Sequence, residues 1–532
     1  MKTVRFVCSF SVLVFAVLMM VLAAAQTNPV SRANQLARAN QASALPETQT
    51  LPARAPAQPA PAVQVPPAKF AKAVTYSSGG YEPDSVAIGD LNGDGVPDLA
   101  VVNRCGGDPH CTLGSVSVLL GNGDGTFRAA VTYNSGGYYA DSVAIADVNG
   151  DGKPDLVVAN LCPNKGCGQG STGLVSVLLG NGDGTFQPPV GYSSGGQYAS
   201  AVAVGDLNGD GTPDIAVANF DQCNGCSTGG VSVLLGNGDG TFQAPVSYSS
   251  GGYDGVSVAI GDVNGDGHPD LVVGNDITSS VGVLLGNGDG TFQAAVTYSL
   301  GGNYVPNSIA VGDLRGDGIL DLVTTNNVAP GISVLLGNGD GTFQAPVSYN
   351  PGVYRPSSVA ITDVNGDGHP DLVVAGGADA SVLLGNGDGT FQTHQIYRSG
   401  GSAADSVAVG DLNGDGRPDL VVANLGTNSV GVLLNLTQLP STTQVTSSPN
   451  PSQVNQSVTF TATITSTRPI ADGELVTFYN GATKLGTGTT TKGAASLTTS
   501  FATAGKYTIK ASYPGDAFHK ASSGKVRQVV QP

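Results

Sequence analysis

The 532-residue chain has no tryptophan, three methionines and five histidines, and only 12% of its residues are charged. Its three glutamates (Glu47, Glu82, Glu474) and its histidines (His110, His268, His369, His394, His519) never fall together as an acid–base pair, so the sequence offers no proton-transfer site. No stretch keeps the apolar period of a long helix, which excludes interleaved helices and any nucleophile poised at a strand-to-helix turn. Basic residues are few, 23 against 40 acidic ones, and the net charge of −17 argues against nucleic acid and anionic membranes as partners. Beyond the first residues, no apolar run is long enough to span a bilayer.

The start of the chain reads as a secretory signal. Lys2 and Arg5 precede the apolar run Phe6 to Leu22, and Ala23, Ala24 and Ala25 offer a small-residue cleavage site, so residues 1–25 are expected to be removed. Residues 26–68, rich in Ala, Pro and Gln, form an extended spacer with nothing to bury. Six cysteines follow in three local pairs: Cys105 with Cys111, Cys162 with Cys167, and Cys223 with Cys226. An even count in an exported chain reads as disulfides; four converging zinc ligands or a thioredoxin-like helix start are both missing.

What the chain has in abundance is one nine-residue phrase, present seven times and starting at Asp90, Asp147, Asp206, Asp262, Asp313, Asp363 and Asp411. The first copy is Asp90-Leu91-Asn92-Gly93-Asp94-Gly95-Val96-Pro97-Asp98. Oxygen-bearing side chains at positions 1, 3, 5 and 9 around a turn glycine suit a hard cation such as Ca²⁺. An EF-hand would need a glutamate at position 12 and a following helix. Position 12 here is Val101, Val158, Val217, Val273, Thr324, Val374 or Val422, inside an apolar run. Three aspartates in each loop account for just over half of the 40 acidic residues, so much of the acidity is ligand inventory.

Around each phrase lie four short runs rich in Val, Ile and Leu, bounded by Gly, Asn and Asp turns. They are expected to be antiparallel strands, named A (before the loop), B, C and D in order. The fold class is therefore all-β: a seven-bladed β-propeller of four-stranded blades, at residues 69–436. The last unit ends without a D strand, while Phe70 to Tyr76 is a spare D-like run before the first A strand. That run is expected to complete the last blade and close the ring.

These repeats resemble the FG-GAP/VCBS family, the repeat class that also builds the propeller of integrin α-subunits. The resemblance implies Ca²⁺ in the loop joining strands A and B, with position 7 giving a backbone carbonyl. The implied ligands are Asp90, Asn92, Asp94, Val96 and Asp98; Asp147, Asn149, Asp151, Lys153 and Asp155; and Asp206, Asn208, Asp210, Thr212 and Asp214. The remaining sets are Asp262, Asn264, Asp266, His268 and Asp270; Asp363, Asn365, Asp367, His369 and Asp371; and Asp411, Asn413, Asp415, Arg417 and Asp419. In the fifth copy Arg315 replaces the asparagine, so that loop is expected to hold the cation weakly or not at all, with Arg315 neutralising Asp313, Asp317 or Asp321. About six Ca²⁺ ions are expected.

Strand alternation puts the metal loops and the Asn-Gly-Asp-Gly C–D turns on one face. The cysteine-bearing B–C loops and the tyrosines of the D–A loops (Tyr81, Tyr139, Tyr198, Tyr253, Tyr304, Tyr354) fall on the other, the tyrosines facing either solvent or a neighbouring blade. Residues 437–532 shift to Ser, Thr and Val and resemble a bacterial Ig-like domain, notably at Val476-Thr477-Phe478-Tyr479 and Ser512-Tyr513-Pro514-Gly515-Asp516. Together these features imply an exported, non-catalytic binding or adhesion module for a glycan or a cell-surface protein. The alternatives are a structural scaffold without a ligand, or an accessory domain of a polysaccharide-degrading enzyme.

Overall fold

The computed structural model describes residues 67–107, 113–165, 167, 171–220, 230–301, 305–328, 331–466 and 468–532. The expected leader and most of the spacer, together with Cys111, Cys223, Cys226 and Tyr304, lie outside the described residues. Apart from one 3₁₀ turn at Leu425–Thr427, the described elements are strands.

Seven sheets have four antiparallel strands each. In the first, A is Tyr81–Gly89, B is Asp98–Cys105, C is Ser115–Leu119 and D is Val131–Asn134. The next five repeat this order. The seventh takes A, B and C from Ala404–Gly410, Asp419–Asn424 and Ser429–Leu433, and its D strand is Val74–Ser77 from the start of the propeller. Val74 pairs with Val432 and Ser77 with Ser429, so the spare run closes the last sheet as its sequence implied.

Burial explains the strand types. B strands such as Asp98-Leu99-Ala100-Val101-Val102 are buried throughout because both faces pack on neighbouring sheets, and so they read as continuous apolar runs. D strands form the rim and expose one large aliphatic side chain each, a valine in six sheets, as at Val131 and Val246, and Ile396 in the sixth. The A strands are innermost: each touches the next, and that of sheet seven touches that of sheet one. Serine hydroxyls stitch them together. Val202 N–H donates to Ser142 Oγ at 3.3 Å, Ile309 to Ser257 at 3.1 Å and, across the closing seam, Val86 to Ser406 at 3.4 Å.

Between sheets, a D-strand tyrosine meets the phenylalanine that follows the next C strand, edge to face. Six such pairs, from Tyr76–Phe127 to Tyr349–Phe391, have ring centroids 5.4 to 5.6 Å apart. The seventh, Phe70–Tyr397, closes the circle at 5.0 Å.

Near the axis the ring is asymmetric. Arg104 lies 3.1 Å from Asp84 of sheet one and 2.6 Å from Asp141 of sheet two. The contact to Asp84 is a close ion pair and not an aligned hydrogen bond. The Asp405 carboxyl of sheet seven faces Asp84 and adds to its repulsion. Burial, only partly offset by Arg104, pushes Asp84 up to about 7 and raises Asp141 and Asp405.

Residues 442–531 form a separate β-sandwich. Thr442–Ser448, Val458–Thr465 and Ala494–Thr499 make one sheet. The other has five strands, with Gly505–Tyr513 central between Leu475–Asn480 and Ser522–Gln531. Phe460, Phe478 and Tyr513 fill the space between them.

Two predictions follow from the seam. Phe70→Ala should cost about 3–5 kcal/mol, the range for a buried phenylalanine, and match Phe242→Ala inside the ring. A negligible loss in chemical denaturation would mean the first strand does not close the fold. The acidic cluster should make stability fall with rising pH. A raised carboxyl pKa means that the folded state holds a proton the unfolded chain releases near 3.8, and this advantage is lost as pH climbs through about 7. Asp405→Asn should flatten that dependence relative to wild type, read as the difference between melting temperatures at pH 5.5 and 8.5.

Candidate functional site

Each A–B loop is folded by its own carboxylates. Asp90 Oδ1 accepts from Gly93 N–H at 2.8 Å and Asp94 N–H at 3.1 Å, and Oδ2 accepts from Gly95 N–H at 2.8 Å. These bonds coil the chain into a turn that needs φ of 73° at Gly93 and 79° at Gly95, where a side chain would be strained. Asn92 Oδ1 accepts from Asp94 N–H, and Asp94 Oδ1 from Val96 N–H.

The position-9 aspartate does a different job. Asp98 is fully buried; Oδ2 accepts from Leu91 N–H at 2.9 Å and Oδ1 from Gly121 N–H at 2.8 Å. It therefore ties the A–B loop to the C–D turn. A Cβ at Gly121 would run into the Pro97 carbonyl oxygen, which explains the glycine. Asp155, Asp214, Asp270, Asp321, Asp371 and Asp419 repeat the arrangement, the last with Asn435 in the glycine's place. Burial first, and the position-5 and position-1 carboxylates after it, raise Asp98, Asp155, Asp214 and Asp270; they push Asp371 up to about 7 and Asp419 to about 6.

Does this donor set fit a cation? Among the described residues no three acidic, His or Cys side chains form a ready cage. The loops are nevertheless all-oxygen, with carboxylates repelling one another around a buried member, which is the chemistry a hard divalent ion satisfies. The fifth loop is the internal control. Arg315 reaches Asp321 at 2.9 Å, Asp317 at 3.2 Å and the Gly337 carbonyl at 2.8 Å. Where the asparagine is lost, the side chain that replaces it brings its own cation to the position-5 and position-9 carboxylates.

Two of the position-7 side chains engage a carboxylate of their own loop. Lys153 lies 3.5 Å from Asp151, and Arg417 donates to Asp415 Oδ2 at 2.6 Å. In loops one, three, four and six that oxygen instead accepts from the loop asparagine. His268 and His369 are exposed.

On the opposite face, Cys162 and Cys167 form a disulfide with Cα atoms 5.6 Å apart, and Cys105 is disulfide-bonded. The tyrosines fall into two kinds. Tyr81, Tyr253 and Tyr354 are exposed, Tyr354 by 72%. Tyr139 and Tyr198 sit one position later, at φ of 55° and 45°, where each A strand turns in through a bulge. Tyr198 is buried, and its hydroxyl donates to the Cys167 carbonyl at 3.4 Å. Glu82, Asp254 and Arg355 occupy the same left-handed corner. Sequence patterns missed them because the position carries no fixed residue type.

Comparison with known proteins places this geometry. The family model described as an FG-GAP-like repeat matches residues 105–158, 166–217, 222–273, 262–324, 321–374 and 363–422, and a second FG-GAP repeat model matches 83–119 and 139–178. A bacterial Ig-like domain (group 3) matches 445–531. Integrin alpha-V from Gallus gallus is 34% identical over 208 residues, 36% of this chain and 19% of that protein. Integrin alpha pat-2 from Caenorhabditis elegans is 31% identical over 234 residues, 37% of this chain and 18% of that protein. Phosphatidylinositol-glycan-specific phospholipase D from Bos taurus is 33% identical over 149 residues, 24% and 18%. The chain thus spans under a fifth of each of these relatives. A solved structure titled for recognition of non-reducing terminal N-acetylglucosamine by an Agrocybe aegerita lectin aligns at a TM-score of 0.42 and 21% identity, covering 67% of this chain and 96% of that one.

The fifth loop yields a direct test. Arg315→Asn should raise the number of calcium ions bound per chain by one, counted by native mass spectrometry. Arg315→Ala in chelator should lower stability by about 3 kcal/mol or more, because it strands the buried Asp321 without its partner.

With repeats matching residues from 83 to 422 and four-stranded sheets built from them, the chain belongs to the FG-GAP-like repeat family and carries a bacterial Ig-like domain at its C-terminal end.

Proposed function

We propose that this protein is an exported, calcium-rigidified, non-catalytic binding module whose recognition face is the one opposite the metal loops. One observation carries the reading. Leaving aside the rim strands, Leu436 and the sandwich residue Leu475, the large apolar side chains exposed among the described residues are Tyr81, Leu113, Tyr253, Ile277, Val328 and Tyr354. Five belong to B–C or D–A loops, and Tyr81 opens strand A directly after a D–A loop. Irregular loops on a rigid repeat scaffold are where recognition usually resides.

Aromatic and aliphatic groups interspersed with single charges suit a protein surface, where tyrosine and arginine anchors contribute most of the affinity. Arg355, whose guanidinium lies 5.4 Å from the Tyr354 ring centre, is such a pair. Exposed tyrosine rings also give a second reading, a glycan, since a sugar can stack on them. Calcium, when bound, supplies divalent charge that holds the loop carboxylates together; its proposed ligands are the sets given above for loops one to four and loop six. The disulfide fits an oxidising compartment and so supports export. No helix among the described residues is long and apolar enough to cross a membrane.

The test is capture from a panel of purified extracellular proteins and from a glycan array. Tyr354→Ala with Arg355→Ala should weaken capture at least tenfold, on the order of 1.4 kcal/mol, with an unchanged melting temperature. Equal capture by the double variant would remove this face from the binding reading. Loss on the glycan array alone would decide for the second reading.

A further inference from the structure

The seventh loop departs from its siblings in a way that reaches beyond the propeller. Arg417 at position 7 grips Asp415 with two contacts, 2.6 Å to Oδ2 and 3.3 Å to Oδ1. The same guanidinium donates to the Ala517 carbonyl of the sandwich at 3.0 Å and to Thr437 in the connecting segment at 3.4 Å. It lies 4.8 Å from the ring centre of Phe518. From the sandwich side, Arg468 sits 4.1 Å from the same ring and donates to the Asp415 carbonyl. Asp516 holds this sandwich turn: it accepts from the backbone N–H of Phe518 and His519 and pairs with His519 Nδ1 at 2.9 Å.

The connecting segment is fixed as well. Leu439 N–H donates to the Phe518 carbonyl, Lys520 N–H donates back to Leu439, and the Leu439 side chain is buried against Gly366 of the sixth loop. The sandwich is thus seated on the metal-loop face at sheets six and seven.

We propose that loop seven takes no calcium: Arg417 is its resident cation, and by holding Asp415 it fastens the Ig-like domain to the propeller. This rests on the calcium reading of the other loops. Exposure separates Arg417 from Lys153, which also pairs with its position-5 aspartate. The Lys153 pair is 45% and 37% exposed, the Arg417 pair 14% and 15%. An exposed pair is worth about 1 kcal/mol or less and yields to a divalent ion. Arg417 cannot swing away without giving up Phe518 and two carbonyls, and a planar guanidinium makes those contacts together where an ammonium would not. Loop seven is thereby converted from an ion site into a joint, and the face it occupies is the one not proposed for recognition.

The experiment uses the full chain, with calcium counted by native mass spectrometry and cleavage of the 436–441 segment followed under limiting protease. Asp411→Ala should leave the wild-type ion count unchanged. Arg417→Gln should add one ion and, in chelator, speed cleavage severalfold. Loss of an ion in Asp411→Ala, or an unaltered cleavage rate in Arg417→Gln, overturns the proposal. If wild type and both variants bind no calcium, the calcium reading of all the loops falls, and the joint is then judged by the cleavage rate alone. Phe518→Ala keeps Arg417 while removing its platform, and should reproduce the faster cleavage; failure to do so also counts against the joint.

Discussion

A buried carboxylate with both oxygens occupied holds each blade together at the end of the A–B loop. Asp98 joins the backbone of its own loop, at Leu91, to the turn between the two outer strands, at Gly121. An unpaired buried carboxylate is expensive, so the two amides must stay in place, and that fixes the register of four strands at one end. The other end has its own lock. Asn160 Oδ1 accepts from the Ser135 hydroxyl at 2.6 Å while Nδ2 donates to Ser176 Oγ at 3.1 Å, and Asn219, Asn275 and Asn424 accept from the matching serines in the same way. Between these polar clamps the B strands can be wholly apolar. The inter-sheet core then consists of interchangeable valines, leucines and one Tyr–Phe pair per interface.

That constraint also sets the charge problem. Placing a buried carboxylate beside two more in the same loop is unfavourable unless positive charge is supplied. The chain contains two different built-in answers, Arg315 reaching position 9 from position 3 and Arg417 reaching position 5 from position 7. The other loops have either a loosely held lysine or no basic side chain in contact. A solvent cation is the economical remedy there, since it neutralises several oxygens without the side-chain entropy that a long arginine must give up.

Much of this was legible in the chain itself. The seven phrases, the four-strand unit and the spare strand before Val74 could be read because repetition averages out local ambiguity, and the arginine in loop five stood out against six asparagines. The sandwich was partly legible. Val458–Thr465 and Gly505–Tyr513 alternate visibly, whereas Ser522–Gln531 opens on Ser-Ser-Gly-Lys and shows no apolar residue before Val526. What stayed hidden depends on three-dimensional neighbours. The aspartate at position 9 looked like one more ligand, because its two amide partners lie seven and 23 residues away. The corner residues Glu82, Asp254 and Arg355 share a backbone conformation and no side-chain type, so no pattern in letters marks them. The tyrosines misled for the same reason: the repeats slip by one position there, and Tyr198 turns inward where Tyr253 turns out.

The two faces of the ring are under opposite physical demands, and this bears on function more than any single residue does. At the face of the A–B loops carboxylates accept from several amides of each loop, Gly121 and its counterparts sit where no Cβ fits, and the sandwich covers part of what remains. Variation there would expose a buried charge. At the other face the corner strain is met by whatever residue can adopt a positive φ, and the adjoining loops differ in length, in disulfides and in apolar content from blade to blade. A surface can acquire a specific partner only where sequence is free to change without unfolding the scaffold. In this protein that freedom lies on the loop face carrying Tyr253, Tyr354 and Arg355, while the face of the A–B loops supplies the rigidity that lets those side chains be held in place.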